Sequence, residues 1–470
     1  MLFNTTQFFV FFVVVVSLFY ALPRRARRYL LLTASYYFYG SWNVFFLPLL
    51  WGITIVDYFS AIWMTRMGSP GRRRAFLFLS LAVNLSFLGF FKYYNFMAES
   101  LGAVIGMQPG SFTLSIILPI GISFHTFQSM SYVIDVYRRE QEPVRDFIDY
   151  ALYIAFFPQL VAGPIVRAKE FFHDYLHWIP PTQQEALRGL LWMAIGLAKK
   201  MVLADHFALI ADGYFGTTAG AVIPSGALEA WSGTIAFAMQ IFFDFSGYTD
   251  MAIGMALLLG FHFPVNFERP YLAFSITDFW RRWHMTLSRW LRDYLYIPLG
   301  GSRGTLLFTY RNLMLTMLIG GLWHGASWNF VIWGGFHGAL LVIERMMGRH
   351  RFLDKPGPWV YPFRAAITFV LVSIGWVFFR AQTLPEAGFV IGQMFRGVWT
   401  VGGLLIPVWL LALIGISLLL AILEEKLHVI DCLAEGGQTL AYVAVMVALL
   451  ISIELMGVIE QTVPFVYFQF

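Results

Sequence analysis

Long, unbroken runs of apolar residues recur along this chain of 470 residues, and their length restricts how it can fold. A helix needs about 20 mostly apolar residues to cross the hydrocarbon core of a membrane, whereas a barrel strand needs about ten that alternate with polar residues. The runs here are long and do not alternate, and only 13% of the residues are charged. The sequence therefore predicts an all-α integral membrane protein.

Cysteine and charge usage narrow the class further. The single cysteine, Cys432, excludes a disulfide within the chain and a cysteine-based metal cluster. The chain carries 32 Lys and Arg against 27 Asp and Glu, and most basic residues stand in short clusters between apolar runs. This distribution is typical of membrane topology, so we expect membrane lipids as partners and no nucleic acid, metal or bound cofactor.

The basic clusters also predict the orientation in the membrane. The apolar run from Phe8 to Leu22 has no basic residue before it and is followed at once by the arginines of 24–28, opposite to the polarity of a cleavable signal peptide. Two more basic clusters follow at 66–74 and 138–145. By the positive-inside rule, these clusters lie in the cytoplasm and the N-terminus lies outside.

Counting apolar runs in this way predicts about 11 transmembrane helices within a single domain over residues 1–470. The count treats Leu228–Phe245 and Tyr248–Leu259 as two separate crossings. No repeat of fixed period is evident.

One charged segment, residues 277–296, breaks the apolar pattern and predicts a continuous amphipathic helix at the membrane interface, capped by Asp278. His284 falls inside its apolar arc, with Ser288 one turn later. Because a buried histidine needs a hydrogen-bond partner or a function, His284 is either a structural core residue or part of a site.

A second break is predicted between Leu313 and Ile343, a stretch without Asp, Glu, Lys or Arg that is longer than the bilayer core. The glycine-rich segment 320–329 is the candidate interruption, since glycines loosen a helix. His324 then lies at or near membrane depth, where an ionisable side chain is a candidate functional residue. The alternative is a histidine that caps a broken helix. His337 is expected to bridge packed helices.

Several enzyme classes lose their usual motifs, because the sequence lacks a phosphate-binding loop, a dinucleotide fingerprint, a zinc-protease motif and a serine elbow. Two histidines in an apolar bundle fit proton abstraction from a hydroxyl group during acyl transfer, since a neutral imidazole accepts the proton and returns it to the departing thiol. Nearby arginines are suited to bind the phosphates of a coenzyme or carrier.

These features occur together with a series of short motifs in a fixed order. The motifs are LPIGISFH at 118–125, FPQLVAGP at 157–164, DFSGYTDMA at 244–252, PVNF at 264–267, the helix from 278 to 298, and WHG at 323–325. With them the chain resembles the membrane-bound O-acyltransferase family, in its bacterial branch of alginate O-acetylation and teichoic-acid D-alanylation proteins.

The resemblance implies a fold and site residues. The fold would be a ring of transmembrane helices, with re-entrant or amphipathic pieces, around a central tunnel. His324 would be the catalytic base and His284 the second polar residue of the tunnel. The C-terminal motif FVYFQF at 465–470 resembles an aromatic tail in which Tyr467 would carry the acyl group, although an aromatic interface belt is the alternative. Further candidate residues for binding donor or substrate are Arg281, Arg282, Ser288, Asn329 and Asp250.

The function implied is transfer of an acetyl group from a cytoplasmic thioester donor, acetyl-CoA, across the membrane for O-acetylation of an exopolysaccharide such as alginate or cellulose. An extracytoplasmic partner with a serine nucleophile would complete the transfer to the polysaccharide. One alternative is D-alanyl transfer from a carrier protein to teichoic acid. Another is a proton-coupled polysaccharide or lipid transporter in which His324 and His337 relay protons.

Overall fold

The computed structural model describes almost the whole chain, and its regular elements are helices. The residues described are 1–108, 110–161, 163–216, 226–348, 354, 356–399, 404–435, 439–458 and 463–468. Over these ranges strand-like pairing is limited to one isolated bridge, between Gly226 and Val398. The prediction of an all-α protein is therefore confirmed. The chain divides into two compact units, 1–193 with 251–264 and 194–250 with 265–470. The single domain over 1–470 stays a prediction.

The first unit is built from the N-terminal helices. They are α1 Thr6–Ala21, α2 Arg24–Gly40, α3 Leu47–Arg66, α4 Pro70–Leu88, α5 Tyr94–Val104, α6 Ile122–Arg138, α7 Phe147–Ala155, α8 Phe157–Leu160, α9 Ala168–Leu176 and most of α10 Gln183–Ala198. Pro23 and Pro70 stand just before or at the start of helices, where a missing backbone N–H costs no helical hydrogen bond.

The second unit contains the remaining helices. They are α11 Asp205–Tyr214, α12 Ala227–Leu258, α13 Ile276–Arg282, α14 Met285–Leu291, α15 Leu306–His324, α16 Trp328–Met346, α17 Tyr361–Arg380, α18 Leu384–Arg396, α19 Val408–Leu427, α20 Val429–Ala434 and α21 Thr439–Met456. Residues 251–258 of α12 are counted with the first unit. A π-helical turn, Lys199–Ala204, follows α10, and a short 3₁₀ turn, Val466–Phe468, forms the tail.

Several helices have the length and composition of membrane spans. In the described part of the chain, five are long and apolar enough to cross a bilayer, within Val44–Arg66, Pro70–Val104, Ala227–Leu258, Tyr361–Arg380 and Thr439–Met456. Two shorter apolar helices cover Thr6–Ala21 and Val408–Glu424. This fits an integral membrane protein, while the number of 11 crossings and the central tunnel stay predictions.

Helix α12 differs from the sequence prediction, because the two crossings expected there form one helix of 32 residues. Ser246 and Gly247, which we interpreted as the gap between them, lie inside α12. A Cβ added at Gly247 would lie 2.7 Å from the carbonyl oxygen of Gly196 in α10. The glycine therefore permits close approach of two helix backbones and does not end a helix.

The break predicted between Leu313 and Ile343 is confirmed. Helix α15 ends at His324, Gly325 has an extended backbone with φ −158°, and α16 begins at Trp328. The two helices pack closely, since a Cβ added at Gly334 would overlap the carbonyl oxygen of Met317. Glycine thus has two functions here, to interrupt the span and to let its two halves pack backbone against backbone.

This close packing makes Gly334→Ala a sharp test of the α15–α16 contact. The added methyl group must displace the backbone of α15, and we expect a loss of about 1–3 kcal/mol in the free energy of unfolding. Gly335→Ala is the matched control, because its Cβ would meet only the Leu318 side chain at 3.6 Å. The measurement is the apparent melting temperature in detergent, and equal values for the two variants would contradict the tight contact.

The amphipathic segment also differs from its prediction. It forms two helices, α13 and α14, which are separated at Trp283 and His284. The prediction of a continuous helix over 277–296 was therefore wrong. The N-cap is Ser275, whose hydroxyl accepts a hydrogen bond from the backbone N–H of Asp278 at 3.0 Å. The prediction of Asp278 as the cap residue was therefore wrong. Its carboxylate instead accepts from the backbone N–H of Phe274, the residue before the cap, at 3.2 Å.

Candidate active site

Three separate segments of the second unit bring the side chains of His284, His324 and Tyr467 together. The ring centroids of His324 and Tyr467 are 5.8 Å apart, those of the two histidines 6.4 Å, and those of His284 and Tyr467 6.5 Å. His284 is fully buried and His324 is 4% exposed. We call these three residues the histidine–tyrosine cluster. The structure therefore brings together three residues that are far apart in the sequence.

His284 owes its position to an unusual backbone conformation. Its φ of 42° and ψ of 54° lie in the left-handed region, which costs a non-glycine residue about 1–3 kcal/mol. Asn266 holds the following residues, since its carbonyl oxygen accepts from the N–H of Met285 at 2.9 Å and its Oδ1 accepts from the N–H of Thr286 at 3.1 Å. These hydrogen bonds start α14 in a new direction and fix His284 at the junction between two helices.

His324 is the last residue of α15, where the chain leaves the helix. Its ring contacts Trp333 with a centroid distance of 5.0 Å and Phe379 with one of 5.2 Å. The last carbonyl groups of a helix carry a partial negative charge, which stabilises a cation nearby. An imidazole at this position is therefore well placed to accept a proton during a reaction.

Tyr467 packs among aromatic rings on the C-terminal tail. Its ring centroid lies 4.4 Å from that of Phe245 in α12 and 5.7 Å from that of Phe465. The hydroxyl oxygen is buried. Gln469 and Phe470, the last residues of the predicted tail motif, lie outside the described residues. The surrounding aromatic rings limit the access of water to this oxygen.

A buried group of charges holds this tail. Lys200 Nζ lies 2.7 Å from Asp205 Oδ1 and 2.9 Å from Asp244 Oδ1, and all three side chains are at most 2% exposed. Lys200 also donates to the carbonyl oxygen of Val463 at 3.2 Å, and Asp244 Oδ2 accepts from the N–H of Val466 at 2.7 Å. We call Lys200, Asp205 and Asp244 the tail anchor, because the backbone of the tail is hydrogen-bonded to it at two points.

The predicted donor-binding residues of the amphipathic segment have other contacts. Arg282 Nε pairs with Asp278 Oδ1 at 3.0 Å, and the side chain of Arg281 is exposed. The Ser288 hydroxyl donates to the carbonyl oxygen of Trp283 at 3.3 Å and so supports the junction at His284. Donor binding by these three residues stays a prediction.

The two remaining predicted site residues lie in polar contacts of their own. Asp250 Oδ2 forms an ion pair with Lys199 Nζ at 2.6 Å. Asn329 Nδ2 donates to the carbonyl oxygen of Ala381 at 2.6 Å and thereby ties the start of α16 to the end of α17. Their roles in binding donor or substrate likewise stay predictions.

His337 is fully buried on α16, as expected for a histidine between packed helices. Its ring contacts Trp333 and Trp280 at centroid distances of 4.9 and 5.3 Å. A Cβ added at Gly375 of α17 would lie 2.8 Å from its Nε2 atom. His337 therefore fills the space that a glycine leaves on the neighbouring helix.

Sequence reasoning missed the tail anchor and the aromatic rings around the cluster. A signal existed, since Lys200 stands within the apolar run Leu187–Leu203, a candidate membrane span, and ionisable residues in such a span are costly unless paired. We interpreted Asp244 only as part of a motif. Across the ranges that the structure covers, no group of three or more His, Cys, Asp or Glu is arranged to hold a metal ion.

Comparison with known proteins gives consistent matches. The model of the membrane-bound O-acyltransferase family matches residues 74–381. A protein of Azotobacter vinelandii named "Probable alginate O-acetylase AlgI" is 45% identical over 413 residues, which cover 86% of this chain and 80% of the relative. The peptidoglycan O-acetyltransferase of Helicobacter pylori is 40% identical over 394 residues, 76% of this chain and 71% of the relative. The teichoic acid D-alanyltransferase of Bacillus subtilis is 28% identical over 279 residues, 56% and 69% respectively.

Proposed function

Since this chain belongs to the membrane-bound O-acyltransferase family and is an acyltransferase, we propose that it moves an acetyl group from a thioester donor to a polysaccharide hydroxyl. Two kinds of relative support an acetyl group and a polysaccharide acceptor, those named for alginate and for peptidoglycan O-acetylation. The observation that carries the proposal is the histidine–tyrosine cluster, because it places a proton acceptor beside a hydroxyl nucleophile.

The proposed first step forms an acetyl ester on Tyr467. The phenol oxygen attacks the carbonyl carbon of the thioester while His324 takes the phenolic proton. The carbon–sulfur bond then breaks, and the imidazolium returns its proton to the departing sulfur, which leaves as a free thiol. His284, at 6.4 Å between ring centroids, would orient the imidazole or the substrate. Catalytic hydrogen bonds are often longer before substrate binds, so the observed separation is compatible with this role.

The proposed second step releases the acetyl group to an acceptor. The hydroxyl of the acceptor attacks the ester carbon, His324 takes the hydroxyl proton, and the tyrosine oxygen leaves and is reprotonated. The acceptor would be the polysaccharide itself or the serine of an extracytoplasmic partner. After both steps Tyr467 and His324 have returned to their starting states, so the cycle needs no further reactant.

The donor is proposed to be acetyl-CoA on the cytoplasmic side of a bacterial inner membrane, and only its acetyl group crosses the membrane. Arg281 supports this proposal, because its exposed guanidinium is available for a phosphate group. Alginate is the proposed polymer, because the relative at 45% identity is named for alginate O-acetylation. D-alanyl transfer is the more distant alternative, since the relative named for it is 28% identical. The family membership argues against the transporter alternative.

Tyr467→Phe tests the relay, since it removes one oxygen and keeps the aromatic packing. After incubation of the purified protein with isotope-labelled acetyl-CoA, we expect label on the C-terminal peptide of the wild type and none on the variant. Polymer acetylation should fall by orders of magnitude, as it does when a nucleophile is removed. Mass spectrometry of the tail peptide and a polymer acetylation assay give the two readouts.

The matched control is Tyr271→Phe, because Tyr271 is a half-buried tyrosine of the same unit whose hydroxyl donates to the carbonyl oxygen of Ala238. It should retain the label and the activity per folded protein. Full activity of Tyr467→Phe would reject the covalent relay while leaving His324 as the base for direct transfer.

A further inference from the structure

A cavity of about 690 Å³ lies in the first unit, within the roughly 300–1,000 Å³ typical of small-molecule sites. It lies at the junction of α1 and α2, against the end of α9 and the residues that follow it. Four arginines line it, Arg24, Arg25, Arg27 and Arg28. None of the residues of the histidine–tyrosine cluster lines it, so the proposed acyl transfer does not account for the cavity.

The charges around the cavity are only partly balanced. Arg28 pairs with Asp146 at 2.7 Å and with Asp149 at 3.3 Å. Arg24 donates to the carbonyl oxygen of Leu176 at 2.8 Å, a contact that leaves its charge in place. Arg25 is exposed, and no carboxylate of the described chain forms an ion pair with it. The cavity therefore keeps a net positive charge.

The guanidinium of Arg27 is held in place by two aromatic rings and a hydrogen bond. Its guanidinium lies 4.3 Å from the ring centroid of Trp178 and 4.9 Å from that of Phe19, and its Nε donates to the carbonyl oxygen of Leu22 at 3.1 Å. The indole N–H of Trp178 donates to the carbonyl oxygen of Leu259 at 2.8 Å, which fixes the ring. A guanidinium held in this way has little conformational freedom left to lose when an anion binds.

One donor of Arg27 remains unsatisfied. Its Nη1 atom is buried and has no hydrogen-bond acceptor among the residues with described positions. A buried charged donor without an acceptor is unfavourable, and this cost disappears when an acceptor enters the cavity. Arginine forks match the oxygens of a phosphate group, which makes phosphate the ligand chemistry that best fits the cavity.

The position of the cavity along the chain indicates where that phosphate comes from. Helix α1 is apolar and exposes side chains such as Val10 and Val13, each 61% accessible, as a lipid-facing helix does. It ends at Ala21, three residues before Arg24, so the arginines follow the end of the apolar segment. Trp178 beside them is typical of the headgroup region of a membrane.

We propose that this cavity binds the phosphate of an anionic phospholipid headgroup, with Arg27 as the central contact and Arg24 and Arg25 as further cations. The headgroup would occupy the arginine-lined cavity while its acyl chains lie along the apolar surface of α1. Binding would satisfy Arg27 and tie the α1–α2 junction to the membrane surface. This proposal does not depend on the proposed acetyl transfer.

The test uses the full chain purified in a neutral detergent and titrated with diheptanoylphosphatidylglycerol, with the melting temperature as the readout. We expect the lipid to raise the melting temperature of the wild type. The double variant Arg25→Gln, Arg27→Gln should need at least about tenfold more lipid for the same effect, because it loses charge-assisted hydrogen bonds to the phosphate. Arg72→Gln, Arg74→Gln is the matched control, since it removes two exposed arginines from another basic cluster of the first unit.

The single variant Arg25→Gln controls for misfolding of the double variant, since this exposed side chain contributes no buried packing. It should still weaken the lipid effect. An unchanged lipid response in both variants at the cavity would overturn the proposal, as would an equal response to diheptanoylphosphatidylcholine. Adenosine 3′,5′-bisphosphate is added as a soluble phosphate. If it stabilises the protein and displaces the lipid, the cavity belongs to a soluble phosphate ligand and the lipid assignment is wrong.

Discussion

His324→Ala is expected to lower polymer acetylation by roughly 100- to 10,000-fold while the protein still inserts and folds. The variant lacks the group that takes the hydroxyl proton, so both proposed steps lose their base. The side chain is 4% exposed and is surrounded by aromatic rings, so its loss also leaves a small cavity. Activity must therefore be measured per amount of folded protein, together with the release of free thiol from acetyl-CoA.

His337→Ala is the control for this experiment. Both histidines contact Trp333, at centroid distances of 5.0 Å for His324 and 4.9 Å for His337, but only His324 contacts Tyr467. We expect His337→Ala to lower the melting temperature and to keep most of the activity per folded molecule. If His324→Ala instead loses only stability, as the control does, His324 is a structural histidine and the proposed mechanism is wrong.

Lys200→Met should destabilise the protein by about 3–5 kcal/mol, because it leaves buried carboxylates without their cation. Asp205 and Asp244 are both within 2.9 Å of Lys200 Nζ and are almost inaccessible to solvent. The variant also loses the hydrogen bond to the carbonyl oxygen of Val463. We expect a large drop in melting temperature and faster proteolysis of the C-terminal tail.

Two further variants separate this ion cluster from an ordinary ion pair. Lys199→Met disrupts the pair with Asp250, in which the lysine side chain is 26% exposed and the aspartate 9%, and should cost less than Lys200→Met because only one carboxylate loses its cation and water reaches the pair. Combining Lys200→Met with Asp205→Asn and Asp244→Asn should restore much of the stability, since no unpaired charge remains and an asparagine can still accept from Val466. A triple variant as unstable as Lys200→Met would show that the charges are not the cause.

The break at His324 could be predicted because two local signals agreed. The uncharged stretch from Leu313 to Ile343 is too long for one crossing, and its glycines indicate where it is interrupted. Neither signal depends on which other segments pack against the helix. The same reasoning failed at Gly247, where the glycine permits contact with Gly196 inside a continuous helix. A glycine that ends a helix and one that admits a neighbour look alike in a sequence.

The break at His284 could not be predicted from its own segment. The periodicity from 277 to 296 fits an unbroken amphipathic helix, and the hydrogen bonds that compensate for the break come from Asn266. The tail anchor was missed for a related reason. Its members are separated by up to 44 positions in the sequence, and each looks like an isolated charge until the fold pairs them. Apolar length and composition thus predict where helices form, whereas the polar contacts that build the site depend on tertiary structure.

The left-handed backbone at His284 has a consequence for how this position can change during evolution. Most side chains disfavour this conformation, and the exceptions are glycine and, to a smaller degree, asparagine, aspartate and histidine. Any new residue at this position must therefore tolerate the left-handed backbone before the chemistry of its side chain matters. Asparagine tolerates this backbone conformation, has a polar side chain and is reached from a histidine codon by one nucleotide change. Neutral drift at this position should accordingly be confined to a few residue types, even in descendants that have lost the original reaction.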